Sequence, residues 1–473
     1  MPTVKVPIFE SVYTGVDSTE LNEDNRQLID GFRTPVGGTT SRPGSKATFA
    51  IDTASGFGID GLLYWSEKEV VMACGGGELY QLSFVSSVPV ITSLTQGAIL
   101  LNTNTPVSMA TDGTNIYCAN GGRIVYSPVG GTASYIPDPD APTNVTQLAY
   151  LDGYILAIDG SNKFYYSDVN AGVSWNALSF ASASGASDNL VALKVFNREI
   201  YLFGERSVEV WENDGTTPFT RIPGGFIESG CCAPSSVVAD ENSLFWLDEN
   251  RRLVRFAGKT VERLSTKFDK ELQSLSYVAD CVAFKMSIDG YVFIVFTFKV
   301  ANRAFVYNVT TDDWSEWGRW SFTDALYDRW IGNCYCYAEK FGLHLIGRRD
   351  RLVVSELHNK YIDDDGDTIA VDRLTGHLDF GTSKAKRCNE LRFRVRRGDG
   401  LSTRTPVIML RYKIDNREWS QWKEFSLGKI GEYNLILRDV RRNQFRTKQY
   451  QFRATDPVQI VFSNAEEDIE VLR

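Results

Sequence analysis

Seven short apolar hairpin patterns recur along the chain, and their spacing limits the fold more than any other feature. Each has an apolar run, a polar or glycine-bearing turn, and a second run that usually ends in an aromatic residue. At intervals of 38 to 49 residues, the first runs are anchored at Val71, Tyr117, Ile155, Tyr201, Phe245, Ile294 and Leu343. Four-stranded propeller blades take roughly 40–50 residues each. The spacing predicts an all-β propeller of six or seven blades, with these hairpins as the middle strands.

Two local motifs favour the same architecture. Residues 168–175 approximate the aspartate-box turn found between propeller strands, and residues 307–314 resemble the end of a kelch-type blade. A long β-sandwich or several small β-domains remain alternatives to the propeller.

The chain of 473 residues exceeds one ordinary core, and its texture changes twice. Residues 1–50 contain many Pro, Gly and Thr and little periodicity, which predicts an extended N-terminal arm. Residues 51–365 hold the repeats and are assigned to the propeller. Residues 366–473 show period-two alternation, as in Leu391, Phe393 and Val395, and are assigned to a basic antiparallel β-sandwich.

Charge is distributed unevenly. Residues 384–453 carry 19 Lys and Arg against 7 Asp and Glu, whereas the whole chain has a net charge of −9. Arg392, Arg394 and Arg396 alternate with apolar residues and therefore share one strand face. This face could contact nucleic acid, but it lacks the interleaved aromatics of a single-strand binder. We take the three arginines as a candidate protein interface.

The sequence indicates no catalytic, cofactor or metal site. With only three histidines, a zinc site or a histidine-based catalytic triad is not favoured. The eight cysteines contain no C-x-x-C pair, which favours buried free thiols. The acidic run 363–367 could bind calcium, but Thr368 and Leu374 stand where an EF-hand loop needs Gly and Glu, which favours a solvated interdomain turn. The alternative function is a carbohydrate-binding or sialidase-like propeller, and a kelch-like intracellular adaptor is a third class.

No segment is apolar over the roughly 20 residues that a membrane-spanning helix needs. The first residues show no secretory h-region, so we expect the protein to fold in a cytoplasm and not to insert into a membrane.

A set of short motifs resembles, in order and spacing, the packaged-DNA stabilisation proteins of short-tailed phages, also called tail hub or nozzle proteins. The resemblance covers nearly the whole chain and ends in the basic strand set. In chain order, the motifs are residues 42–44 (RPG), 74–76 (CGG), 79–80 (LY), 107–110 (VSMA), 145–148 (VTQL), 203–204 (FG) and 208–211 (VEVW).

The resemblance implies a non-enzymatic structural protein of the virion tail, assembled in the host cytoplasm. Its expected form is a homo-oligomeric ring, a hexamer, below the head-to-tail adaptor protein. Such a ring closes the channel after genome packaging and carries the tail needle or tip and the tailspike or fibre proteins. Contact with genomic DNA in the channel is compatible with this role. The family offers no catalytic or cofactor-binding residues to carry over.

Overall fold

A computed structural model describes residues 3–6 and 27–472, except 36, 129, 184, 187, 216–217, 259, 266–267, 401–403, 430–431 and 433. For residues 3–6, 399, 441 and 442 only the backbone is described. Strands dominate these residues. The helices among them are short: Pro234–Ser236, Asp269–Ser274 and Glu339–Phe341.

Six consecutive segments each form an antiparallel sheet with strands in chain order, the topology of a propeller blade. Blade 1 contains Ile59–Trp65, Val70–Gly75, Glu78–Val85 and Val88–Ser93. Blade 2 contains Ser108–Thr111, Asn115–Ala119, Val125–Pro128 and Ser134–Tyr135. Blade 3 contains Gln147–Leu151, Tyr154–Ile158, Lys163–Asp168 and Ala171–Ser182. Blade 4 contains Leu190–Phe196, Glu199–Gly204, Val208–Glu212 and Thr220–Ile227. Blade 5 contains Val238–Asp240, Ser243–Leu247, Leu253–Phe256 and Val261–Arg263. Blade 6 contains Val282–Ile288, Tyr291–Phe298, Arg303–Asn308 and Asp313–Glu316.

The seventh blade closes the ring with a strand from the other end of the chain. Its first three strands are Gly332–Ala338, Leu343–Arg348 and Leu352–His358, and its fourth is Gly44–Asp52. Pairing of the fourth strand with the third buries Phe49 in the blade core, at 1% exposure. A small sheet cannot bury both of its faces alone. In a closed ring, each blade is covered on both faces by its neighbours.

The predicted fold class is confirmed, with seven blades. All seven anchor residues lie in the second strand of successive blades, as the spacing predicted. Phe245 and Ile294 are fully buried. The aspartate-box turn joins the third and fourth strands of blade 3, where the Ser174 hydroxyl donates to Asp168 Oδ2 at 2.6 Å.

The prediction of a separate arm over residues 1–50 is wrong for its described part from residue 27 onwards. Gly44–Asp52 belongs to blade 7, and Gln27–Ile29, Gly31–Arg33 and Thr39–Ser41 belong to the C-terminal sandwich. These segments are short or weakly alternating, and they pair with strands distant in sequence, which a local pattern does not reveal.

The C-terminal unit is a sandwich of two sheets. In the first sheet the order is Gly31–Arg33, Thr39–Ser41, Val458–Val471, Lys386–Gly400 and Leu435–Phe445, and Thr3–Val6 also pairs with Val458–Val471. In the second sheet the order is Gln27–Ile29, Val371–Leu374, Lys448–Ala454, Val407–Ile414 and Lys423–Ser426.

The sandwich and the propeller share a continuous sheet. Gln27–Ile29 pairs in parallel with Asp313–Glu316, the outer strand of blade 6, so that the second sheet continues blade 6. Phe393, Phe452 and Phe462 are buried between the two sheets of the sandwich. Two small hairpins complete the described strands: Gly318–Ser321 with Leu326–Arg329, and Asp363–Asp364 with Asp367–Thr368.

Candidate interface on the C-terminal sandwich

The predicted interface arginines lie on the outer face of the first sheet. Along Lys386–Gly400, Leu391, Phe393 and Val395 point into the sandwich core and are at most 1% exposed. Strand geometry then directs Arg392, Arg394 and Arg396 to the opposite face. Arg394 and Arg396 are exposed, and neither forms an ion pair with the described part of the chain.

Arg392 differs from the other two because its charge is compensated within the chain. Its Nη2 lies 2.9 Å from Asp468 Oδ1, and its Nη1 lies 3.5 Å from Glu390 Oε2. The acidic last strand, Val458–Val471, pairs directly with Lys386–Gly400 and brings Asp468 alongside, whereas Glu390 lies on the same strand as Arg392. The candidate interface therefore centres on Arg394 and Arg396.

Two exposed hydrophobic residues lie on the neighbouring strand, Ile436 opposite Arg394 and Val440 opposite Glu390. Leu435–Phe445 forms the edge of the first sheet, and its outward Ile436 and Val440 are 50% and 69% exposed. Ile436 pairs with Arg394 across the strands, and Arg438 pairs with Arg392. We call Arg394, Arg396, Ile436, Arg438 and Val440 the basic stripe. Ile436 and Val440 were not predicted from the sequence. Their neighbour Asp439 is buried and forms a 2.6 Å ion pair with Lys423 of the second sheet.

The outer face of the second sheet carries a stack of alternating tryptophan and arginine side chains. The guanidinium carbon of Arg411 lies 4.7 Å from the ring centre of Trp419 and 4.5 Å from that of Trp422. The guanidinium carbon of Arg453 lies 5.1 Å from Trp422 and 4.6 Å from Trp320.

This stack attaches the small hairpin of residues 318–329, which we call the inter-blade hairpin because it links blades 6 and 7. Trp320 stacks on Arg453, and the Tyr327 hydroxyl donates to the Ala370 carbonyl oxygen at 2.8 Å. Arg453 is fixed by Asp372 through a 2.6 Å ion pair. Burial raises the pKa of Asp372, and the neighbouring Arg453 opposes that rise. The stack thereby holds the inter-blade hairpin against the sandwich.

A buried arginine connects the sandwich, the propeller closure and the inter-blade hairpin. Arg42, in the RPG motif, is 2% exposed and pairs with Asp30 and Asp364, each at 2.6 Å. Its Nη2 also donates to the Gly318 carbonyl oxygen at 3.0 Å. Burial raises the pKa of Asp30 to about 6, although Arg42 acts in the opposite direction.

The acidic run 363–367 supplies carboxylates to arginines. Asp364 accepts from Arg42 and from the Ser45 hydroxyl, and Asp367 Oδ2 lies 3.0 Å from Arg319 Nη2. In the described part of the chain, no group of three metal-binding side chains was found. Asp364 is 1% exposed, so the expectation of a solvated turn is wrong at this position. Its burial follows from pairing with the equally buried Arg42.

The first strands of all seven blades surround a central cavity of about 540 Å³. Its charged lining consists of Asp60, Lys194 and Lys285, and Lys285 forms a 2.6 Å ion pair with Asp240. Burial raises the pKa of Asp60 to about 7 and lowers that of Lys194. Arginine is absent from the described lining, so the arginine cluster that a sialidase requires does not occur at this cavity.

The cysteines are free thiols, and the described helices are short. All eight cysteines are free, and six of them are buried. One pair of thiols joins neighbouring blades, with Cys74 Sγ 3.8 Å from Cys118 Sγ. Among the described residues, no helix has the length and apolarity needed to cross a membrane.

Three solved structures with low sequence identity are similar to part of this chain. The WD40 β-propeller domain of Doa1 is 12% identical, with 66% of this chain and 97% of that chain covered and a TM-score of 0.40. BamB from Moraxella catarrhalis is 13% identical, with 74% and 98% covered and a TM-score of 0.38. The computationally designed Ika8 protein is 10% identical, with 66% and 99% covered and a TM-score of 0.35. The sheet order defines the fold independently of these likenesses.

Sequence comparison identifies the family. No curated protein matches the chain. Residues 39–362, however, match the phage stabilisation family model described as Bacteriophage P22 Gp10, beta-propeller. The match begins at Thr39, includes the closing strand Gly44–Asp52 and ends after blade 7, so it spans the whole propeller. The chain therefore belongs to the phage stabilisation family of the P22 Gp10 β-propeller type, a family of phage structural proteins.

Proposed function

We propose that this protein forms the hub, or nozzle, ring of a short phage tail. Six copies would enclose the DNA exit channel after packaging, with the head-to-tail adaptor on one side and the needle or tip and the spikes on the other. The protein would act without catalysis, as a component of the virion. Family membership supports the structural role, and the single observation that carries the ring is the basic stripe on the sandwich.

The stripe supports a protein contact for a physical reason. Arg394 and Arg396 are exposed, Arg394 lies opposite the exposed Ile436 of the neighbouring strand, and neither arginine has an ion-pair partner in the described chain. Exposed apolar side chains next to uncompensated charge are a common composition of protein interfaces. Identical subunits present the same surface to the same neighbour, so complementary charge can fix their orientation.

Charge reversal tests the proposal. Arg394→Glu combined with Arg396→Glu should leave the monomer folded, because both side chains point away from the core, but should prevent ring formation. Native mass of the full chain, alone and in isolated tails, measures assembly. Particles made with the variant should lose packaged DNA.

A matched control reverses two exposed propeller cations, Lys68→Glu with Arg206→Glu, and should keep the ring. If the wild-type protein is monomeric in the intact virion, the hub proposal fails. If the Arg394 and Arg396 variant assembles normally, the stripe is not the interface.

A further inference from the structure

One end of the propeller carries an exposed apolar patch built from three loops. In an up-and-down blade, the turn between strands two and three lies at the same end as the link to the next blade. Tyr277 lies in the link before blade 6, Val300 in the second turn of blade 6, and Phe322 and Leu326 in the inter-blade hairpin. Their exposures are 51%, 58%, 68% and 66%. We call these four residues the apolar patch.

Hydrogen bonds between the loops hold the patch in place. The Val300 amide donates to Asp280 Oδ2 at 2.5 Å, which joins the first two loops. Asn302 Nδ2 donates to Asp328 Oδ1 at 2.7 Å, and Asn302 Oδ1 accepts from the Arg329 amide at 2.9 Å. A patch fixed before contact loses less conformational entropy on binding than a mobile one.

The loops that carry the patch are acidic. Segments 277–280, 299–302 and 321–328 contain three carboxylates, Asp280, Asp324 and Asp328, and one ammonium group, Lys299. Asp324 and Asp328 are exposed. Asp280 interacts electrostatically with Arg329, and Asp328 with Arg349, so Asp324 contributes most of the uncompensated negative charge of the patch. The basic stripe, by contrast, combines apolar side chains with positive charge.

The apolar patch and the basic stripe of one chain face away from each other. The inter-blade hairpin packs on the outer face of the second sheet through Trp320 and Arg453. Arg394 and Ile436 lie on the outer face of the first sheet, beyond the shared core. Stacked sheets are about 10 Å apart, before the outward side chains are counted. The two surfaces can therefore meet only between different copies.

We propose that the apolar patch of one subunit binds the basic stripe of the next. This inference rests on the proposed ring and identifies its contact. Two different surfaces make the contact heterologous, and a repeated heterologous contact generates a ring when its rotation closes. Phe322 and Leu326 would pack beside Ile436 and Val440, and Asp324 and Asp328 would face Arg394 and Arg396.

A mixing experiment tests this arrangement. A patch variant, Phe322→Ser with Leu326→Ser, and a stripe variant, Ile436→Ser with Val440→Ser, change exposed residues and should each fold as monomers. Each variant alone lacks one half of the contact and should lose the ring in native mass measurements, under conditions in which the wild type assembles. The equimolar mixture should give heterodimers and nothing larger, because one intact patch meets one intact stripe.

The control changes equally exposed residues on blade 3, Val169→Ser with Leu178→Ser, and should keep the wild-type mass. If either interface variant still forms the ring, or if the mixture stays monomeric, the patch–stripe contact is wrong while the ring proposal stands. A wild type that is monomeric both in solution and in isolated tails would instead refute the ring itself.

Discussion

At the scale of residues, ion pairing distinguishes arginines that occupy equivalent positions in the sequence pattern. Arg392, Arg394 and Arg396 share one strand face, yet the first is ion-paired, whereas the other two have no ion-pair partner among the described residues. Alternation predicted the shared face correctly. It could not predict the pairing of Arg392, because Asp468 reaches that position only through the register of the last strand.

The carboxyl group of Asp60 should make stability depend on pH. Its folded-state pKa is about 7 because of burial, whereas an unfolded Asp titrates near 3.9. Between these values the folded state keeps the proton and the unfolded state loses it, so stability falls as pH rises from about 4 to about 7.

The wild type should lose unfolding free energy between pH 4.5 and pH 7.5, and the titration of Asp60 should account for on the order of 2 kcal/mol of that loss. Asp60→Asn should abolish this contribution. Urea unfolding of both proteins at the two pH values measures it. The exposed Asp140→Asn should retain the wild-type dependence. A wild type and an Asp60 variant with parallel pH profiles would contradict the assigned burial effect.

At the scale of elements, the sequence predicted local hairpins better than long-range pairings. The seven anchors all lie in second strands because each hairpin is a local unit with its own alternation and turn. Gly44–Asp52 was assigned to an arm because its partner, Leu352–His358, lies some 300 residues further along the chain. The Trp–Arg stack was likewise missed, since Trp320 and Arg453 meet only after folding.

Closure of blade 7 depends on a glycine with no room for a side chain. A Cβ atom at Gly44 would contact the Asp363 carbonyl oxygen and lie 2.6 Å from the Tyr361 carbonyl oxygen. Both are backbone atoms and cannot rotate away. Gly44→Ala should therefore destabilise the protein by about 1–3 kcal/mol through overpacking.

Thermal and urea unfolding measure this loss, and Gly122→Ala is the control because no heavy atom lies within 4 Å of its Cβ position. The control should stay within about 0.5 kcal/mol of the wild type. Equal stabilities of the two variants would show that the closing strand tolerates a side chain at position 44.

At the scale of the whole molecule, the propeller and the sandwich form one structural unit. The second sheet continues blade 6, the inter-blade hairpin stacks on the sandwich, and Arg42 joins both to the closing strand. The family match ends at residue 362, whereas the strands that complete the sandwich extend to Val471. A ring built from the proposed contact would transmit load through this junction, because the patch lies on propeller loops and the stripe lies on the sandwich.

Arg42 should be the residue on which this junction depends most. Arg42→Met keeps much of the side-chain volume but leaves Asp30 and Asp364 buried without their shared cation, which should cost about 3–5 kcal/mol. Arg198→Met removes the ion pair of an exposed arginine with Asp152 and should cost at most about 1 kcal/mol. Urea unfolding measures both losses.

Limited proteolysis of the Arg42 variant should cut residues 359–385, between blade 7 and the sandwich strands, before the blades are cleaved. Similar losses for the two arginine variants, or cleavage beginning inside the blades, would mean that the junction does not depend on the buried triad of Asp30, Arg42 and Asp364.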